Sequence, residues 1–418
     1  MKIKSCKTTG VASAPRVVEH HRVRGAAYSV IHWGKATRAV LMVTPASRGP
    51  VDEQAGEAVR TIRATLKKQR GLQTVTVQTV FLRDAKDQAA CERVFAAHYG
   101  AEQPVTTYVW QPPCDGAALA IEAWAVGGDV QVRRPLPNVL TMTCNQITWT
   151  YCGGVALPAT RGEVYKQSLA GFRQLDAMLK KAGVGFDHVV RTWLYLGHIT
   201  GPEGDLERYM ELNRARTDFY RRIRFGRGHL MPRVERAVYP ASTGIGMKGR
   251  GLAMSATAVD TLRKDVMWLP LENPLQTPVY QYERVYSPKS PKFVRAMAAV
   301  MGEHVTMWVS GTASIVNSKT QHVGDPRMQT EQTIDNIERL ISHENVADHG
   351  LRGAGAALAD MARVRVYVKR PQDYQVCRAV CEQRFGKVPI IYTVADVCRS
   401  DLLVEMEGVA FVRRDALR

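Results

Sequence analysis

The sequence predicts an α+β protein whose mixed sheets carry their helices on one face. Two observations predict this class. Strand-like stretches, rich in β-branched residues, alternate with stretches that have apolar residues at helical spacing. The order of these stretches then occurs twice between about residue 139 and the C-terminus, with a period too long for a solenoid. We therefore expect an N-terminal α/β extension over residues 1–135, a first domain over 136–262 and a second domain over 263–418.

The composition is that of a folded, strongly basic protein. Of 418 residues, 45% are hydrophobic and 23% are charged, and the formal net charge is +18. This charge favours an anionic partner, either nucleic acid or a small substrate with several negative charges. No apolar run approaches the roughly 18–20 residues that a membrane span requires, so no membrane partner is expected. The eight cysteines are scattered without a paired CxxC unit, which indicates reduced thiols and a cytoplasmic protein.

The sequence of the N-terminal extension predicts a strand–helix–strand unit, and no catalytic or binding motif is recognisable in it. Strands are expected at 39–43, 74–82 and 106–110. A helix is expected at 52–69, because acidic residues occupy its first turn and basic residues its last turn. The role of this extension is left open by the sequence.

The two copies that follow share one order of elements. The first copy predicts, in order, a strand at 147–151, a helix at 163–182, a strand at 187–195, a helix at 205–220 and a strand at 251–258. The second copy predicts a strand at 305–309, a helix at 327–342, a strand at 361–368, a helix at 373–385 and a terminal hairpin over 392–411.

The returning strand of that terminal hairpin holds the main candidate for catalysis. Strand alternation places Glu405 and Glu407 on one face with Leu403, and only apolar residues on the other. A carboxylate in an apolar strand is costly unless it is paired or protonated. Two interpretations remain open: an edge strand with a solvated acidic face, or an active-site acid. The first copy reads Ala-Met-Ser-Ala at 253–256, without a carboxylate, which a single active site in a duplicated scaffold would also show.

A set of motifs in the second copy carries a family resemblance. They read Glu272-Asn-Pro-Leu-Gln276, Tyr280-Gln-Tyr282, Tyr286-Ser-Pro-Lys-Ser-Pro-Lys-Phe-Val-Arg295-Ala, Val309-Ser-Gly-Thr-Ala-Ser-Ile-Val316, His322-Val-Gly-Asp325 and Asp396-Val-Cys398-Arg-Ser-Asp-Leu-Leu-Val-Glu405. In this order they resemble the chorismatases, which imply tandem domains of the RidA/YjgF (chorismate-mutase-like) fold. The resemblance covers about 270–411 and, more weakly, about 139–260.

The resemblance implies roles for several residues. It places a proton-donating carboxylate at Glu405, with Glu407 as the next candidate, for cleavage of the enolpyruvyl ether of chorismate with release of pyruvate. Gly311 and Cys398 resemble the branch that forms 3-hydroxybenzoate, rather than the branch that hydrolyses chorismate to a dihydroxycyclohexadiene carboxylate. A small buried apolar side chain is the alternative role for Cys398. The chain departs from the family at 317–319, where it reads Asn-Ser-Lys.

Chorismate is a dianion, so its two carboxylates need cations. Arg295 is the first choice because it lies in a family motif, and Arg216 and Lys369 come next, with solvated surface charge as their alternative role. Tyr280 and Tyr282 are expected to give hydroxyl contacts or only to pack. The chemistry requires no metal and no organic cofactor.

Two other functions compete with this one. The first is an imine or enamine deaminase of the RidA type. Its resemblance implies an arginine on the strand before the last, whereas residues 390–392 here read Ile-Ile-Tyr. A basic nucleic-acid-binding protein is permitted by the charge, but no motif supports it. Because single-domain relatives are trimers with sites between subunits, we expect either a homotrimer or a single chain that imitates one.

Overall fold

The computed structural model describes residues 17–69, 71–158, 164–232, 234, 236–283 and 288–414. Within these ranges the chain forms three six-stranded mixed sheets and two small hairpins. Position 163, where the first-copy helix was expected to begin, and Tyr286 of the family motifs lie outside the described residues. We name the three parts the N-terminal, middle and C-terminal units; the last two correspond to the first and second copies.

The bounds of the elements follow the chain. The N-terminal unit contains β1 (Val18–Val23), β2 (Ala26–Trp33), β3 (Ala36–Val43), α1 (Val51–Lys68), β4 (Leu72–Leu82), α2 (Gln88–Tyr99), β5 (Val105–Val109) and β6 (Leu119–Gly128). The middle unit contains β7 (Gln131–Leu136), β8 (Val139–Cys144), β9 (Ile147–Leu157), α3 (Val164–Lys181), β10 (Val189–Gly197), β11 (Pro202–Glu203), β12 (Leu206–Glu207), α4 (Arg208–Tyr220), β13 (Ala241–Met247) and β14 (Leu252–Thr261). The C-terminal unit contains β15 (Val266–Leu271), β16 (Ala296–Met301), β17 (His304–Ala313), β18 (Ile315–Val316), β19 (Lys319–Thr320), α5 (Pro326–Ile341), α6 (His343–Asp348), β20 (Met361–Val368), α7 (Tyr374–Phe385), β21 (Ile390–Val394) and β22 (Val404–Arg413).

All three sheets have the same topology. Their orders are β1-β2-β3-β6-β4-β5, β7-β8-β9-β14-β10-β13 and β15-β16-β17-β22-β20-β21. In each unit the last strand enters the middle of the sheet, and the strand before it lies at the edge, parallel to its neighbour. The N-terminal segment is therefore a third copy of the repeat. The sequence analysis treated it as an extension because topology is preserved there while the side-chain motifs are not. The domain boundary drawn after residue 135 falls inside β7, a strand of the second sheet.

The three units form a ring with their helices outside. One apolar core per unit packs that unit's helices on its own sheet, and two further clusters combine residues of all three units on the inner sheet faces. The edge strand of each unit contacts the third strand of the next: β5 contacts β9, β13 contacts β17 and β21 contacts β3. Inner-face residues of the strands consequently meet around a common axis.

Most predicted elements are confirmed, but the terminal hairpin is wrong. β21 and β22 lie on opposite sides of β20 and do not pair with each other. The alternative of an edge strand with a solvated acidic face is wrong for the same reason, because β22 lies between β17 and β20. Tertiary pairing decided this outcome, since a turn at 399–401 is compatible with either arrangement. The alternation along β22 is confirmed: Glu405 and Glu407 point to the inner face, opposite Val404 and Met406 in the helix-packed core.

Candidate active site

A cavity of about 330 Å³ lies between the middle and C-terminal units. Its wall brings together Glu405, Cys398, Gly311, Arg295 and Tyr282, all of which the sequence predicted for the site. The middle unit completes the wall with residues of α4 and β13: Tyr209, Met210, Asn213, Ser242 and Gly244. The site therefore lies at a junction between units, as in a trimer with sites between its subunits.

Glu405 is the second residue of the central strand β22, and its side chain reaches the cavity. It is 4% exposed, and no described residue forms a hydrogen bond or ion pair with its carboxyl group. Burial, together with the negative charge of Glu407, raises the pKa of Glu405 to about 8, against the smaller opposing effects of Arg191 and Arg295. At neutral pH this side chain is a carboxylic acid with its proton available to a ligand.

The loop before β22 is held by a buried amide. Gln329 of α5 accepts a hydrogen bond from the Leu403 N–H (2.8 Å) and donates one to the Asp401 carbonyl (2.9 Å). The helix itself begins at Asp325, whose side chain caps it by accepting from the Met328 N–H (3.0 Å). The start of β22, and with it Glu405, is thereby fixed to a helix.

Gly311 makes the room that Glu405 occupies. It lies in a β-bulge of β17, opposite β22. A β-carbon at this position would collide with Oε1 of Glu405, lie 3.0 Å from its Cδ atom and lie 3.3 Å from Cγ2 of Thr243. In the structure this glycine therefore accommodates the side chain of Glu405.

Glu407 lies on the same face of β22 but outside the cavity. Its carboxylate accepts hydrogen bonds from Arg191, Thr243, Trp193 (2.9 Å) and Arg363 (3.1 Å), and it also pairs with Arg365 at 3.2 Å. Burial alone would raise the pKa of Glu407, but the arginines, together with Thr243, lower it to about 2. The two glutamates therefore differ in state: one holds a proton and the other is a fixed anion.

Cys398 forms part of the cavity wall and packs against the apolar clusters around it. Burial raises the pKa of its thiol to about 12, and the nearby Glu405 contributes in the same direction. A thiol in this state is neutral at physiological pH and is not a nucleophile. It contributes a small, neutral surface to the cavity wall.

Two arginines reach the cavity from the C-terminal unit. Arg295 donates from Nη2 to the Tyr282 hydroxyl (2.7 Å) and to the Thr277 carbonyl (3.3 Å). Arg399 also lines the cavity, with its guanidinium over the Tyr282 ring at 5.3 Å and Nη1 bonded to the Ser318 carbonyl (2.8 Å). Arg399 is not among the residues predicted for the site from the sequence, although it directly follows Cys398 in a family motif, and this adjacency was the available signal.

The remaining predicted residues take different positions. Arg216 is completely buried, so the alternative of a solvated surface charge is wrong. It bonds Asn213 and Ser242, which line the cavity, so it lies directly behind the wall. Lys369 pairs with Asp396 at 2.9 Å and does not line the cavity.

Tyr280 does not line the cavity either. Its ring packs against that of Tyr239 with centroids 5.8 Å apart. For Tyr280 the packing alternative is the one that the structure supports, while Tyr282 faces the cavity between two arginines.

The departure at 317–319 forms the turn of a small hairpin, β18–β19. Asn317 adopts a left-handed conformation with φ of 52°, which asparagine tolerates better than most residues. The next residue supplies the carbonyl that binds Arg399. This loop therefore helps to position a cavity arginine.

The other two units lack the acid. In each unit the strand paired with the last strand has a bulge, which ends at Val77, Arg191 or Arg363. These three residues pair with Trp124, Thr257 and Val409 of the last strands. Glu405 lies four positions before Val409, and the equivalent positions in the other two units are Ala120 and Ala253. An alanine cannot donate a proton, so the described residues form this acid site at one of three related junctions.

None of the helices in the described ranges is both long enough and apolar enough to cross a membrane. No group of three or more His, Cys, Asp or Glu side chains in these ranges is arranged to hold a metal ion.

The fold and the site define an enzyme of the α+β class with a protonated carboxylic acid in a cavity lined by arginines. Comparison with known proteins identifies it more closely. Residues 122–258 match the family model described as chorismatase FkbO/Hyg5-like, N-terminal. A 3-hydroxybenzoate synthase of Streptomyces hygroscopicus is 34% identical over 265 residues, covering 62% of this chain and 73% of that protein. A chorismatase of Streptomyces rapamycinicus is 34% identical over 236 residues, covering 54% and 65%.

A solved crystal structure described as a chorismatase superimposes with a TM-score of 0.63 at 23% identity, covering 82% of this chain and 94% of that one. This match concerns the fold, whereas the sequence identity to the curated relatives establishes kinship. The chain belongs to the chorismatase family.

Proposed function

We propose that this enzyme cleaves the enolpyruvyl ether of chorismate to pyruvate and a hydroxybenzoate, that 3-hydroxybenzoate is the favoured product, and that Glu405 is the general acid. The observation that carries the proposal is a carboxylic acid kept protonated at neutral pH inside a cavity with two arginines. A volume of about 330 Å³ lies within the usual range for pockets that hold small ligands.

The reaction begins with protonation of the enol ether. Glu405 donates its proton to the methylene carbon and leaves an oxocarbenium ion. The neighbouring hydroxyl of the substrate captures this cation and returns its proton to Glu405, which gives a cyclic ketal. The bond between the ring and the captured oxygen then breaks, as does the original ether bond on the side of the former cation carbon. Pyruvate leaves with the captured oxygen, the ether oxygen stays on the ring, and the ring loses a proton and becomes aromatic. Chorismate then yields one pyruvate and one hydroxybenzoate without a net water. Capture by water instead would give a dihydroxycyclohexadiene carboxylate.

Glu407 acts through Glu405 and does not contact the substrate. Its fixed charge raises the pKa of Glu405 and so keeps the acid protonated. The same charge favours a cation nearby, since opposite charges attract strongly in a buried site. We assign Glu407 as a positioning residue.

The substrate carboxylates bind to Arg295 and Arg399. Both guanidinium groups face the cavity with Tyr282 between them, and arginine forms paired hydrogen bonds with carboxylates. Arg216 adds positive charge from behind the wall, where none of the described carboxylates forms an ion pair with it.

Product choice follows from the wall beside the acid. Cys398 presents a neutral, weakly polar surface, and Gly311 has no side chain to hold a water molecule. Because neither residue offers a strong hydrogen-bonding group to water, this part of the wall favours capture by the substrate's own hydroxyl.

The ring of three units closes within one chain, which supports the proposal that the enzyme works as a monomer that imitates a trimer. Sedimentation equilibrium at micromolar concentration tests this directly, and a trimer mass would contradict it. The described cysteines are all unpaired, which supports placing the enzyme in the reducing cytoplasm.

The deciding experiment is incubation of the purified protein with chorismate. Pyruvate is followed with lactate dehydrogenase, and the aromatic product is identified by mass spectrometry. We expect 3-hydroxybenzoate from the wild type and a loss of at least a hundredfold in rate for Glu405→Gln. Glu338→Gln, which alters a glutamate on the surface of α5, is the matched control and is expected to be fully active. A wild type that releases no pyruvate would overturn the proposal.

A further inference from the structure

A charge pair is missing at one of the three junctions between units. At the junction of the middle and C-terminal units, Arg191 binds Glu407. At the junction of the C-terminal and N-terminal units, Arg363 pairs with Glu122 at 3.3 Å. The third junction joins the N-terminal and middle units. There the register of the sheets places Val77 where the other junctions have an arginine, and Ser255 where they have a glutamate.

A cavity of about 50 Å³ occupies that third junction. Val77 and Ser255 both line it, and it shares no lining residue with the active-site cavity. Its charged wall residues are Arg38, Arg363, Arg365 and Glu122. The Glu122 carboxylate is already paired with Arg363 and Arg365, so the wall holds three cations and one anion. Five aromatic residues also line it: Trp124, Tyr151, Trp193, Trp308 and Phe411.

Arg38 has no anionic partner at this cavity. It is only 7% exposed, and Nη2 donates to the Tyr151 hydroxyl at 3.0 Å. Its buried Nε atom has no hydrogen-bond partner, and none of the carboxylates in the described ranges forms an ion pair with it. The rings of Trp124, Trp149 and Phe411 lie 5.2–5.9 Å from its guanidinium carbon, but aromatic faces compensate a buried charge only partly.

The interior as a whole also has too few anions. Arg38, Arg191, Arg363 and Arg365 are buried around the axis, and the fixed anions among them are Glu122 and Glu407. Removing a charge from water without a counter-charge costs several kcal/mol. The cavity lies at the position where the other two junctions hold a carboxylate.

We propose that this cavity is a binding site for a small monovalent anion, such as chloride or formate, which takes the place of the missing carboxylate. The available volume accommodates an ion of a few atoms and excludes an aromatic ring, since about 150 Å³ is needed for benzene. Arg38 and the arginines of β20 supply the donors. The ion stabilises the same arginines that bind Glu407, so it supports the fold next to the active site without contacting substrate.

The first test compares anions on the wild type and on Arg38→Met. The melting temperature is measured in HEPES, whose bulky anion does not fit the cavity, with added sodium chloride, bromide or formate. We expect the melting temperature of the wild type to rise by several degrees, with the logarithmic dependence on anion concentration that binding to the native state requires. The variant should lose this response. Crystals grown with bromide should show an anomalous peak beside Arg38. Equal responses of wild type and variant, with no peak, would refute the site.

The second test supplies the carboxylate from the protein. Ser255→Glu places an anion at the position equivalent to Glu407 and Glu122. We expect this variant to melt higher than the wild type in HEPES alone and to be insensitive to chloride. Ser255→Gln has the same size without the charge and should show neither effect. Should Ser255→Glu fail to fold, the bromide position and the Arg38→Met comparison still decide the question.

Discussion

Gly311 and the carboxyl group of Glu405 are so close that a side chain at residue 311 would displace the carboxyl group: a β-carbon there would lie 3.0 Å from Cδ of Glu405 and nearer still to Oε1. The two residues lie on adjacent strands of the C-terminal sheet, at a bulge in β17. The position of the proposed acid therefore depends on the absence of a methyl group on its neighbour.

Gly311→Ala is expected to lower kcat at least tenfold while the protein folds normally. The atom that must move is the end of the flexible Glu405 side chain, so the carboxyl group shifts away while the backbone stays in place. Pyruvate release at saturating chorismate measures the effect, with circular dichroism to verify the fold. Gly56→Ala on α1, where the nearest atom belongs to the flexible Arg60 side chain, is the control. Unchanged kcat in Gly311→Ala would contradict the close packing.

The activity is expected to fall above about pH 8, by roughly tenfold per pH unit, because Glu405 loses its catalytic proton there. Glu407→Gln removes the charge that raises the pKa of Glu405, so the alkaline limb of the pH–activity profile should move to lower pH. Glu122→Gln is the matched control, since it also disturbs buried arginines but should leave the limb in place. A limb that stays at the same pH in Glu407→Gln would show that Glu407 has only a structural role.

Glu405→Gln is expected to be more stable than the wild type at alkaline pH. The folded protein raises the pKa of Glu405 from 4.5 to about 8, so its stabilising contribution is fully present below pH 4.5 and is lost as the pH rises through about 8. The free energy of unfolding should diverge from that of the variant by up to about 1.4 kcal/mol per pH unit across this window. Urea unfolding at pH 5 and pH 8.5 measures this difference. A constant gap between the two proteins would argue against a buried, protonated Glu405.

Arg399→Met is expected to raise KM for chorismate by ten- to a hundredfold, because it removes one of the two cations that face the cavity. The effect on kcat should be smaller, since the acid is untouched. Arg413→Met removes a surface arginine paired with Glu303 and should leave KM unchanged. If both variants have the KM of the wild type, Arg399 does not bind substrate.

Much of the site was determined by the sequence alone. Alternation along one apolar strand was sufficient to place Glu405 and Glu407 on the same face, and its result holds in the structure because strand periodicity is local. The family motifs identified Cys398, Gly311, Arg295 and Tyr282, all of which line the cavity. The alternation of strands and helices likewise predicted the α+β class, since each element is encoded by its own residues.

The tertiary structure decided what depends on contacts between distant segments. Burial keeps Glu405 protonated, whereas the ionised state of Glu407 depends on arginines such as Arg191, more than two hundred positions away in the sequence. No local pattern reveals such a pair. The same holds for the place of the N-terminal unit in the ring and for the charge missing at Ser255, because sheet order and the meeting of edge strands result from packing. Sequence periodicity specifies which face a side chain occupies, whereas only the assembled units specify the neighbours that it meets there.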